Sequence, residues 1–114
     1  DLTNHKCIRH EMYLPKAWEF AKGAEKQTVR IKGQASTNSV IIARDLAISG
    51  LGVTLAPIYC LGNELKTGAL TQVLRSWKLP SQTIRALYPH SRLQAAKVKV
   101  FVDFMQKRFR TALG

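Results

Sequence analysis

Acidic residues are scarce in this chain, where 7 Asp and Glu stand against 18 Lys and Arg over 114 residues. Paired carboxylates for acid–base catalysis therefore have no candidates at short range. Cysteine is scarce too: Cys7 and Cys60 lie far apart and are too few for the disulfide framework of a small secreted domain. Two reduced, partly buried thiols are expected. Long hydrophobic runs are missing, since Val40–Ala43 is interrupted by Arg44 and Asp45, far short of the roughly 18 to 20 residues that cross a bilayer. A membrane-spanning chain is excluded on this reading. The opening Asp1–Lys6 lacks the basic-then-apolar layout of a secretion signal, which points to the cytoplasm.

What is present is a folded composition: 46% hydrophobic and 22% charged residues, enough for one domain or one lobe with a packed core. The formal charge of +11 demands a negatively charged partner or a solubility role. Distribution narrows this. Basic residues are scattered from Lys6 to Arg110, with clusters only at Arg92-Lys97-Lys99 and Lys107-Arg108-Arg110. No aromatics interleave them as a single-strand binder requires, so most form a solvated face.

Along the chain, Cys7–His10 reads as a short strand and Glu11–Gly23, with Trp18 and Phe20, as a loop or turn. Thr28–Gly33 alternates polar and apolar side chains, which puts Val29 and Ile31 on one face of a half-buried strand. Gln34–Asn38 is small and polar. In Ser39–Ser49 the i, i+4 pairs Ile42/Leu46 and Ala43/Ala47 predict a helix, capped by Asn38 or Thr37 and closed by Gly50. Gly52–Ala56 reads as a central buried strand with Val53 and Leu55 in the core, ended by Pro57. A short helix is expected over Ile58–Leu65, a strand or extended edge over Leu70–Leu74, a turn at Trp77–Pro80 and another strand over Thr83–Tyr88. Val98, Phe101, Val102, Met105 and Phe109 form one stripe of a helix from about Ala95 to Arg110. Strands alternating with helices predict an α/β domain with parallel strands and right-handed crossovers.

Enzymatic and cofactor constellations are incomplete. His5, Cys7 and His10 suggest metal ligands, but a closed zinc site needs a full tetrahedral set and Cys60 is the only other cysteine. Ser39, Asp45 and His90 supply triad residue types without a nucleophile elbow around any serine. Gly50-Leu51-Gly52 leaves a helix and enters a strand, the reverse of a dinucleotide loop, and reads as a helix stop. No enzyme activity, metal or cofactor is expected. One ligand site remains: Thr37-Asn38-Ser39 offers hydroxyls, an amide and backbone N–H groups at a helix start, where the dipole favours anions. Simple helix capping accounts for the same residues equally well.

Asp1–Ile8, Trp18-Glu19-Phe20, Val29–Gly33, Ala47–Val53 with Pro57, and Lys97–Phe104 follow one another in an order that resembles the last half of an effector-binding domain of LysR-type transcriptional regulators. Gly68-Ala69-Leu70, Leu74–Trp77 and Ala86–Pro89 add to it, so the resemblance covers nearly the whole chain. It implies a partial domain of periplasmic-binding-protein-like (type II) fold, with a mixed, mainly parallel sheet flanked by helices. Residues 1–82 would be mostly lobe two, and 83–114 a return strand and helix toward lobe one.

Such domains close two lobes on a small effector. The resemblance places lobe-two contacts at Thr37, Asn38 and Ser39 and at Pro57 and Ile58, all facing the cleft. The winged helix-turn-helix, the linker helix and most of lobe one are not among these residues, so DNA would be read by the parent protein, a cytoplasmic homo-oligomer. The expected effector is a small organic anion. Two other readings stand beside it: a basic nucleic-acid-binding module, supported by the charge, and a fragment of a periplasmic-type solute-binding protein, which would need a secretion signal.

Overall fold

The computed structural model describes residues 1–11, 17–81, 83–89 and 95–113. The chain divides into two compact units, Asp1–Pro80 and Ser81–Gly114.

In the first unit, β1 (Cys7–His10) is the middle strand of a three-stranded sheet. Its neighbours β4 (Gly33–Thr37) and β5 (Val53–Thr54) both run parallel to it. The side-chain period of two splits β1 between two layers. Cys7 joins Leu2, Trp18, Phe20 and Ile31 in a buried cluster, with Val29, Val53, Leu55 and Trp77 packed against it. Ile8 and His10 take the opposite face, where α1 (Val40–Ile48) packs and Ala43 is fully buried. Ile8 is wholly enclosed, worth up to about 3 kcal/mol of transfer free energy for a side chain of its kind.

The Cys7 side is covered by an antiparallel ribbon, β2 (Ala17–Lys22) with β3 (Glu25–Arg30). Two residues, Gly23 and Ala24, connect them, and Gly23 takes a positive φ of 61° that suits a tight hairpin. Trp18 and Phe20, spaced two apart, turn inward. Lys78 then pairs with Ala21, closing the ribbon's other edge locally.

Several expectations need correction. The segment read as a loop over Glu11–Gly23 contains β2, because its two large apolar residues follow the strand period. The strand expected over Thr28–Gly33 is shifted: β3 stops at Arg30, buried Ile31 links it to β4, and small, polar Gln34–Thr37 is itself a strand. β5 is an edge of the sheet among the described residues, not its centre, and Val53 and Leu55 are half-buried. Only two residues pair before the chain turns off toward Pro57. Leu70–Leu74 makes no strand; Leu74 sits at φ 54°, and a left-handed residue breaks extended backbone.

The helix expected over Ile58–Leu65 is two shorter pieces, a 3-10 turn at Ile58–Cys60 and α2 (Glu64–Thr67), closed by left-handed Gly68. At α1, Gly50 does stop the helix, with φ 82°. Gly52 has a separate reason: a Cβ there would collide with the Lys6 carbonyl oxygen, to which the Val53 N–H donates at 2.8 Å.

In the second unit, α3 spans Ala96–Leu113, matching the predicted helix with a longer carboxyl end. Val98, Val102 and Met105 of the predicted stripe are half-buried, while Phe101 and Phe109 are exposed. Among the described residues nothing pairs with Thr83–Tyr88, so this alternating segment forms no ladder. His90 and Arg92 lie outside the described residues.

Candidate functional site

Three parallel strands bring their carboxyl ends to one edge: His10 from β1, Thr37 from β4 and Thr54 from β5. Just beyond that edge the chain enters α1 on one flank and the Pro57–Cys60 turn on the other. All five residues expected to contact an effector therefore stand at the same end of the sheet, Thr37, Asn38 and Ser39 beyond β4 and Pro57 and Ile58 beyond β5. The strand between them sets the outer strands roughly 10 Å apart. Such strand ends are where open α/β sheets take ligands.

Local hydrogen bonds shape the β4 flank. Ser39, not Asn38 or Thr37, is the N-cap of α1, its Oγ accepting from Ile42 N at 3.4 Å. Thr37 acts one step earlier, its Oγ1 accepting from Ser39 N at 3.1 Å. The Val40 and Ile41 amides have no acceptor among the described residues, as expected of the first turn of a helix. Asn38 is exposed, whereas Thr37, Ser39 and Pro57 are half-buried. On the other flank Ile58 is 68% exposed, a large apolar side chain standing out from the rim.

His10 was legible only as a possible metal ligand, and the structure gives it a different role. Its Nε2 lies 3.0 Å from the Asn38 carbonyl oxygen, so that nitrogen carries the proton and donates. The adjacent Glu11 N–H donates to Thr37 O at 2.9 Å. Together these bonds anchor the Thr37–Asn38 backbone to the end of β1. A signal was present in the sequence, namely a polar His10-Glu11 pair at the end of the strand that carries Cys7 and Ile8. Cys7 cannot join His10 at a metal, because positions three apart on a strand point to opposite faces. The Cys7 thiol instead faces the Leu2 and His5 carbonyl oxygens, at 3.8 and 3.5 Å, and burial pushes its pKa up. No metal-binding cluster occurs among the described residues.

Charge near the rim comes from two arginines. Arg9 reaches Glu11 at 3.5 Å, its stem lying across Gly33, where a Cβ would collide with it. Arg44 pairs with Asp45 at 2.8 Å, a contact that raises its already high pKa and keeps it cationic. Both arginines are thus paired with carboxylates, and the positive character at the rim comes from the start of α1.

Comparison with known proteins agrees with this architecture. The model of the LysR substrate binding domain matches residues 1–110. The HTH-type transcriptional regulator PtxR of Pseudomonas aeruginosa is 30% identical over 108 residues, covering 94% of this chain and 35% of that protein. The HTH-type transcriptional activator TtdR of Escherichia coli strain K12 is 29% identical over 116 residues, covering 100% of this chain and 37% of that one. Among solved structures, the full-length Vibrio cholerae virulence activator AphB, a member of the LTTR protein family, matches with a TM-score of 0.74 at 28% identity, over 90% of this chain and 35% of that one. The chain thus spans about a third of the length of the curated relatives it matches. The relatives are named as transcriptional regulators, not enzymes. From the family match over nearly the whole chain and the parallel sheet that carries the rim, this chain belongs to the LysR substrate-binding domain family.

Proposed function

We propose that this chain is the carboxyl-terminal part of the effector-sensing domain of a transcriptional regulator, and that its strand-end rim is the lobe-two half of the effector site. Residues 1–82 are mostly lobe two, and 83–114 run back toward lobe one. The parent protein is a cytoplasmic homo-oligomer without enzymatic activity, reading DNA through a winged helix-turn-helix elsewhere in its sequence. The names of the relatives as HTH-type regulators support this reading. The effector is a small organic anion.

The observation that carries the site is the convergence of the α1 amino terminus and the Pro57–Ile58 segment at one end of the parallel sheet. Unpartnered amides and the partial positive charge of the helix start favour a carboxylate, and the +11 field raises the local anion concentration. Half a site binds weakly, because half the contacts are gone while the translational cost of association remains. Calorimetry on the complete regulator is therefore the test, with acetate, succinate and benzoate titrated into wild type, Asn38→Ala and Ser39→Ala. Weaker binding of the preferred carboxylate by both variants is expected. Undiminished affinity in both rejects the site, and no binding of any of the three by wild type counts against the anion itself.

A further inference from the structure

The guanidinium of Arg44, in the middle of α1, has two jobs. Asp45 Oδ1 holds its Nε at 2.9 Å and its Nη2 at 2.8 Å, which fixes the fork. The remaining arm, Nη1, donates to the Cys60 carbonyl oxygen at 3.0 Å, with the Glu64 carboxylate 3.8 Å away. An exposed ion pair between neighbouring residues contributes little alone. This one is different in setting, because the Arg44 side chain is only 21% exposed and its free arm ends on another element.

Cys60 is the last residue of the 3-10 turn, within which Cys60 N donates to Pro57 O and Leu61 N to Ile58 O. That pattern uses the Pro57 and Ile58 carbonyls and leaves the Cys60 carbonyl for Arg44. Among the described residues this is the side-chain hydrogen bond shown between α1 and the turn. A charged donor makes it stronger than a neutral bond, and only a planar fork can grip Asp45 and Cys60 together.

We propose that Arg44 is a positioning residue of the effector site, tying the Pro57–Cys60 turn to α1. The tie holds Pro57 and Ile58 in fixed register with Thr37–Ser39, the segment that opens the same helix. This inference rests on the reading of the rim as an effector site, while its first readout does not.

The experiment compares the complete regulator with its Arg44→Met variant, which keeps the stem and loses every donor, and its Arg44→Lys variant, which restores one donor group. Amide hydrogen exchange is followed at Cys60 and Leu61 in the turn and at Ala43 and Ser49 in and after α1. In Arg44→Met the turn amides are expected to exchange about tenfold faster while the α1 amides change by less than about threefold, as local opening predicts. Arg44→Lys falls between. Affinity for the preferred of acetate, succinate and benzoate weakens in the same order.

Unchanged exchange at Cys60 and Leu61 overturns the tie, and so does uniform acceleration through α1, which would make Arg44 a support of the fold at large. Faster turn exchange with unchanged affinity, in a protein whose Asn38→Ala variant binds more weakly, overturns the link to the site. Unchanged affinity in Asn38→Ala and Ser39→Ala as well rejects the site reading and with it the effector role of Arg44, and exchange then decides the tie alone.

Discussion

Burial among Leu2, Trp18, Phe20 and Ile31 desolvates the Cys7 thiol and pushes its pKa up, so the folded protein favours the neutral form. In the unfolded chain the thiol ionises near about pH 8.5. The resulting stabilisation is fully present below that pH and is lost as pH rises through the higher folded value. Urea midpoints compared at about pH 7 and about pH 10 should therefore fall further for wild type than for Cys7→Ala, and an equal fall would show that the thiol contributes nothing. At this scale much was legible: a buried, reduced Cys7 and a helix-stopping Gly50 both follow from residue chemistry. The demand on Gly52 was not, because it arises from the approach of the Lys6 carbonyl, 46 residues away by the numbering. His10 was visible as a histidine, yet its partner, the Asn38 carbonyl, became its neighbour only when β1 and β4 paired.

Helix α1 was predictable because its start signal, its i, i+4 pairs and its stop signal agree within one short segment. Its cap was assigned one or two residues early, since Thr37, Asn38 and Ser39 all cap well and the backbone chooses among them. Ser39 carries the capping bond, so Ser39→Ala should lower unfolding free energy by about 1 kcal/mol and Asn38→Ala by clearly less in urea titrations. Equal losses would mean that the cap is shared. This comparison also separates stability from binding in the effector test. Strands were harder to read. β4 is small and polar, but its backbone bonds to β1 are indifferent to side-chain hydropathy, and β2 hides its two inward aromatics among charged neighbours. Conversely, the alternation at Thr83–Tyr88 reads as a strand without a described partner to make it one.

Taken whole, the chain carries its +11 charge in dispersed form, with exposed basic residues on the β2–β3 ribbon at Lys22, Lys26 and Arg30 and on α3 at Lys97 and Lys99. The 114 residues alone should bind duplex DNA weakly and without sequence preference, with affinity falling steeply with salt as counterions are released. Fluorescence anisotropy with two unrelated duplexes across a salt series checks this, and salt-resistant, selective binding would favour a nucleic-acid-binding module instead. The sequence by itself determined the α/β class, α1 with its stop, α3, and the family resemblance, because helix periodicity, turn chemistry and motif order are local in the chain. Only the tertiary structure decided that β1 is the middle strand, that residues 33–37 are a strand, that Ser39 is the cap, and that His10 meets the Asn38 carbonyl and Arg44 the Cys60 carbonyl. Strand order and hydrogen bonds between distant residues depend on which backbones meet, and that is settled by packing across the whole unit, not by any window of sequence.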